Sequence, residues 1–117
     1  MRAATLMVAA VLAAAAPALA DDDQIMQIRQ MFEPAAAETT AGTVVSYLNA
    51  DDVNHNLVVV APGGAETDLG IDKPGETTQI SFPTAGVYSV VCHIHPRMKM
   101  KMTVRAAAPP ASAASAG

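Results

Sequence analysis

The chain lacks tryptophan, has two tyrosines and two phenylalanines, and carries a single cysteine in its 117 residues. One cysteine excludes an internal disulfide. Basic residues are scarce: seven Lys and Arg stand against eleven Asp and Glu, for a net charge of −4. That balance argues against general nucleic-acid binding. No internal repeat and no convincing amphipathic helix is present. Beyond the first twenty residues no stretch is apolar and long enough to span a membrane, which takes about 20 residues.

The two ends differ from the middle. Arg2 is followed by a nearly unbroken apolar run from Leu6 to Ala16, then Ala18-Leu19-Ala20 and Asp21-Asp22-Asp23. A basic residue, a short apolar stretch and a small-x-small site form the pattern of a secretory signal peptide over residues 1–20. The expected location is the periplasm. Residues 106–117 contain only Ala, Pro, Ser and Gly. They offer little bulk to bury and are expected to form a flexible tail. The folding unit is therefore expected over residues 21–105. A domain of that size has a limited core, and a metal is the remaining candidate staple.

The middle reads as all-β. Short runs rich in apolar residues are separated by Gly, Pro, Asn and Asp. Gln24–Phe32 is expected as a first strand, ended by Pro34. Thr43–Leu48, Leu57–Val60, Thr77–Phe82, Val87–Cys92 and Lys99–Arg105 follow, separated by turn clusters such as Asn49–Asp52 and Asp72–Gly75. Seven or eight short strands with regular turns suggest a sandwich. Ala35–Glu38 has helical propensity but is too short to form a helix alone.

Chemistry concentrates in Cys92-His93-Ile94-His95-Pro96-Arg97-Met98. A thiolate, an imidazole and a thioether in C-x-x-H-x-x-M spacing make a soft donor set suited to copper. A strand ending at Cys92 and a tight loop would bring His95 and Met98 back around one point. The fourth donor must come from elsewhere, and His55, between a turn cluster and a strand, is the histidine available. A lone cysteine can also be a small buried hydrophobe, a structural zinc ligand or a nucleophile. Methionine is a poor zinc ligand, and no oxyanion-stabilising arrangement accompanies the cysteine. An unoccupied thiol in an oxidising compartment is a hazard that metal ligation removes.

These residues resemble the cupredoxins, and within them the amicyanin and pseudoazurin branches, over nearly all of residues 24–105. Phe32-Glu33-Pro34, Ala41-Gly42-Thr43-Val44, His55-Asn56, Gly86-Val87-Tyr88 and the C-x-x-H-P-x-M loop carry the resemblance. It implies a Greek-key β-sandwich of seven to eight strands holding one type 1 copper ion. His55, Cys92 and His95 would form a trigonal plane, with Met98 as the weak axial ligand. His95 would be the electron's door, with Pro96 and the Pro62-Gly63-Gly64 loop beside it. Asn56 would tie the two ligand-bearing loops together.

The implied function is electron transfer, Cu(I) to Cu(II) and back, between redox proteins: a c-type cytochrome, a dehydrogenase or a reductase. The protein would be a monomer and no enzyme, since three histidines cannot supply further copper centres. Copper storage or delivery is the alternative, kept open by a methionine-rich strand end.

Four points stay open in the sequence. Met100 competes with Met98 for the axial position, because Met98, Met100 and Met102 share one face of the last strand. His93 replaces the small hydroxyl residue expected after the cysteine, and would tune the site, bind a second metal or face solvent. Ile94 replaces a common proline, and its N–H is a candidate second donor to the Cys92 sulfur. The opposite face of that strand, Arg97, Lys99 and Lys101, would either steer an acidic partner or simply discourage edge pairing.

Overall fold

A computed structural model of the chain describes residues 21–107, so the expected leader and most of the expected tail lie outside the described residues. Nine strands and no helix are present among them: β1 (Gln24–Ile28), β2 (Met31–Glu33), β3 (Ala36–Thr40), β4 (Val44–Asn49), β5 (His55–Val60), β6 (Glu66–Asp72), β7 (Thr77–Ser81), β8 (Gly86–Val91) and β9 (Lys99–Arg105). They form two sheets, a four-stranded one in the order β2-β1-β4-β7 and a five-stranded one in the order β3-β9-β8-β5-β6. β1 runs parallel to β4 and β3 parallel to β9, and the remaining neighbours are antiparallel. The all-β sandwich expected from the sequence is present, with nine strands in place of seven or eight.

Alternation explains which faces meet. In β9, Met100, Met102 and Val104 are buried while Lys99 and Lys101 face solvent. Residues two apart lie on one face of a strand, so the apolar set goes inward together. All four aromatic residues of the chain are spent in this core. Phe32 meets Tyr47 edge-on at 6.1 Å between ring centroids, and Phe82 meets Tyr88 at 5.0 Å. Such edge-to-face pairs add stabilisation beyond their buried area.

The extra strands arise where the sequence signal is weak. Gln24–Phe32 is not one strand: the chain reverses at Arg29-Gln30 and β2 returns antiparallel on β1. Both turn residues sit at positive φ, 54° and 57°, without glycine or asparagine to favour it. The Asp51 carboxylate holds this turn by accepting the N–H of Arg29 at 2.6 Å and of Gln30 at 2.9 Å. Ala36–Thr40 forms a strand because pairing with β9 outweighs the local helical propensity of its alanines. β6 is an edge strand, exposed along almost its whole length. It therefore lacks the alternation that marks a half-buried strand.

The sheets are also tied by polar groups at one end of the sandwich. Gln27 of β1 donates from Nε2 to Asp72 Oδ2 of β6 at 2.5 Å, and Asn49 Nδ2 of β4 donates to the Asp72 carbonyl at 2.8 Å. All three residues are buried. Burial, chiefly, raises the Asp72 carboxyl above its ordinary range.

Candidate metal centre

That end of the sandwich gathers the chemistry-bearing residues. His55 opens β5, Cys92 directly follows β8, and Met98 directly precedes β9. Since β8 and β9 are hairpin partners, with Val91 opposite Lys99, the segment from Cys92 to Met98 is simply their connection. Cys92 N–H donates to the Met98 carbonyl at 3.0 Å, and Met98 N–H to the His95 carbonyl at 2.9 Å. Those two bonds fold the loop back on itself. The C-x-x-H-x-x-M spacing thus becomes a compact arc closed on its own backbone.

β5 is the other neighbour of β8, and it brings His55 to the same place. His55 Nδ1 lies 3.1 Å from His95 Nδ1, and Cys92 Sγ lies 3.8 Å from that nitrogen. The donor atoms of His55, Cys92 and His95 all fall within 4.8 Å of one another. His55 is fully buried, Cys92 and Met98 are buried, and His95 is half-buried at the surface. His93 is not brought in. Its ring is exposed, with Nε2 3.4 Å from Glu66 Oε1. Among the described residues, the backbone donor to Cys92 Sγ is Asn56 N–H, at 3.4 Å, and none comes from Ile94.

Sequence reasoning missed Asp51. Its Oδ2 lies 2.7 Å from His55 Nε2. Partial burial works against the charged form of Asp51. Hydrogen bonds from Gln30 N–H, His55 and Arg29 N–H outweigh this and lower its pKa below the ordinary value. A carboxylate accepting from Nε2–H leaves the Nδ1 lone pair of His55 free and aimed at His95 and Cys92. Carboxylates commonly orient metal-binding histidines in this way. The Asn49 side chain shapes the same loop, accepting Asp51 N–H at 2.9 Å and donating to the Val53 carbonyl at 2.9 Å. Asp51 stands four positions before His55, but nothing in the sequence says that the intervening turn folds the carboxylate onto the ring.

The methionines separate as well. Tyr47 O–H donates to Met100 Sδ at 3.2 Å in the core. Burial raises the Tyr47 pKa, so the hydroxyl stays protonated and remains a donor. Met102 is wholly buried.

Two imidazole nitrogens converging on a cysteine sulfur, buried at the end of a β-sandwich with a methionine on the same loop, fit copper by softness and by donor number. They define a cupredoxin-type copper centre. Residues 19–107 match the copper binding proteins of the plastocyanin/azurin family, and the chain belongs to that family of copper-binding electron-transfer proteins. A methylamine utilization protein MauL of Methylophilus methylotrophus is 31% identical over 78 residues, covering 65% of this chain and 45% of that protein. A plastocyanin of Scenedesmus fuscus is 32% identical over 82 residues, covering 63% of this chain and 84% of that protein. A reduced amicyanin variant superposes with a TM-score of 0.65 at 26% identity, covering 75% of this chain and 87% of that structure.

Proposed function

We propose that the chain is an exported, monomeric electron carrier of the periplasm whose copper is held by His55, Cys92, His95 and Met98. The folding unit would be residues 21–105, following a leader over 1–20 and preceding a flexible tail. The observation that carries this reading is the buried convergence of His55 Nδ1, His95 Nδ1 and Cys92 Sγ. Copper bound there would supply the Cu(I)/Cu(II) couple.

The chain's own contribution is to hold the donors still. His55 is clamped through Nε2 by Asp51. The Cys92 loop is closed on its backbone, and the Cys92 sulfur accepts a hydrogen bond from the strand that carries His55. A donor set fixed in this way changes little between oxidation states, which keeps the reorganisation opposing electron transfer small. His95, half-buried and flanked by exposed Ile94 and Pro96, is the route to a partner. The partner would be a c-type cytochrome, a dehydrogenase or a reductase. Arg97, close to His95, and Lys99 and Lys101, on the strand that leads away from it, are all exposed and would steer an acidic one.

Met98 is preferred over Met100 as the axial donor because the Met100 sulfur already accepts from Tyr47 within the core. The same contact weakens the storage or delivery alternative, since Met100 and Met102 are core residues and not an exposed thioether cluster. Electron self-exchange, followed by NMR line broadening in mixed oxidation states, tests the reading together with copper retention against a competing chelator. Fast exchange with slow copper loss is expected. Slow exchange with ready copper loss would move delivery to first place.

A further inference from the structure

The strand pair that carries His55 contains an irregularity with a use. β5 and β6 pair with His55 opposite Asp72 and Asn56 opposite Ile71, then slip so that Val58 faces Asp68. Two β6 residues, Leu69 and Gly70, there stand against the single Leu57 of β5, which makes a bulge. Gly70 takes a φ of +88°, a conformation that residues with a Cβ rarely adopt. This geometry folds the Asp68 carboxylate back over its own strand. Asp68 Oδ1 accepts Gly70 N–H at 2.8 Å and Asn56 Nδ2 at 2.8 Å. The same Nδ2 also donates to the Gly70 carbonyl at 3.1 Å.

Asn56 is the residue that joins the two ligand-bearing segments. Its backbone N–H points at Cys92 Sγ and its Oδ1 accepts His93 N–H at 3.2 Å. Since the His93 ring turns out toward Glu66, what the loop offers the Asn56 side chain is that backbone N–H. The donor side of the Asn56 amide is held from the β6 bulge. An amide held at both ends has one orientation, and it ties the β6 bulge to the loop that Cys92 opens.

We propose that Asp68 is a positioning residue of the metal centre: through the Gly70 bulge it locks the Asn56 amide and so keeps the Asn56 N–H on the Cys92 sulfur. The proposal deepens the copper reading and rests on Cys92 being the thiolate donor. Hydrogen bonding to that sulfur tunes the reduction potential of such sites. Asp68 would therefore raise the potential by maintaining one such bond, although it touches no donor atom. The carboxylate is itself held below its ordinary pKa by Gly70 N–H and the Asn56 amide.

Asp68→Asn and Asp68→Ala remove the same charge, but only the first keeps an oxygen acceptor. Their difference therefore isolates the contact from the charge. In the metal-free protein, amide hydrogen exchange at Asn56 and His93 should quicken about five- to tenfold in D68A and stay near wild type in D68N. In the copper-loaded protein, D68A should have a lower reduction potential than D68N and a copper–sulfur stretch at higher frequency. Unchanged exchange in D68A would overturn the clamp. Equal potentials and equal stretches in the two variants would overturn its effect on the sulfur. Should the wild-type protein show no copper–thiolate band, the copper reading fails while the exchange result still decides the clamp.

Discussion

The two sheets of this sandwich do different work. The five-stranded sheet carries the donors: His55 begins β5, and Cys92 and Met98 bound the β8–β9 connection that contains His95. The four-stranded sheet carries no donor. It contributes Phe32, Tyr47, Ile80 and much of the remaining apolar core, and it presses on the other sheet through Tyr47 and Met100. It reaches the metal centre through polar ties, from the β1–β2 turn to Asp51 and from Gln27 and Asn49 to Asp72. Chemistry on one sheet and support from the other means that the two can be damaged separately.

The largest separable effect is expected from Cys92→Ser, which should abolish the thiolate-to-copper absorption while circular dichroism retains the β signature. Phe82→Ala attacks the apolar core and should cost about 3–5 kcal/mol in denaturant unfolding of the metal-free protein. The molecules that remain folded should keep the wild-type copper spectrum. Asp51→Ala strikes the junction and should weaken copper binding about 10–100-fold by competition titration, because the His55 ring loses its anchor. Reversing Lys99 and Lys101 to Glu should slow electron transfer to an acidic partner and flatten its salt dependence, leaving the spectrum unchanged.

The smallest effect concerns the buried tie. Because burial raises the folded-state pKa of Asp72, its stabilising contribution is complete below the unfolded value of about 3.9 and is lost as pH rises through the folded value. Asp72→Asn has no such loss. Its stability relative to wild type, measured by chemical denaturation, should therefore improve as pH rises from 4 toward neutrality. A constant difference across that range would remove Asp72 from the account.

The difference between the sheets also marks what could be read in advance. The β8–β9 hairpin and its loop were legible, since Cys92, His95 and Met98 are close in sequence and Met100 to Val104 alternate cleanly with exposed residues. His55 could be named because histidines are few. The β1–β2 hairpin was not legible, since Arg29 and Gln30 adopt positive φ only through a carboxylate 21 and more residues away. β6 was not legible either, because an exposed edge strand leaves no apolar pattern. Asp51 reads from the sequence as part of a turn cluster, and Asp68 carries no sequence signal at all. Their roles come from a loop and a bulge that exist only once the sheets have paired.

The central claim is that His55, Cys92, His95 and Met98 form a type 1 copper site. Its most direct test is the visible absorption and EPR spectrum of the Cu(II)-loaded protein. An intense thiolate-to-copper band with narrow copper hyperfine splitting is predicted. A weak band with wide splitting would contradict it.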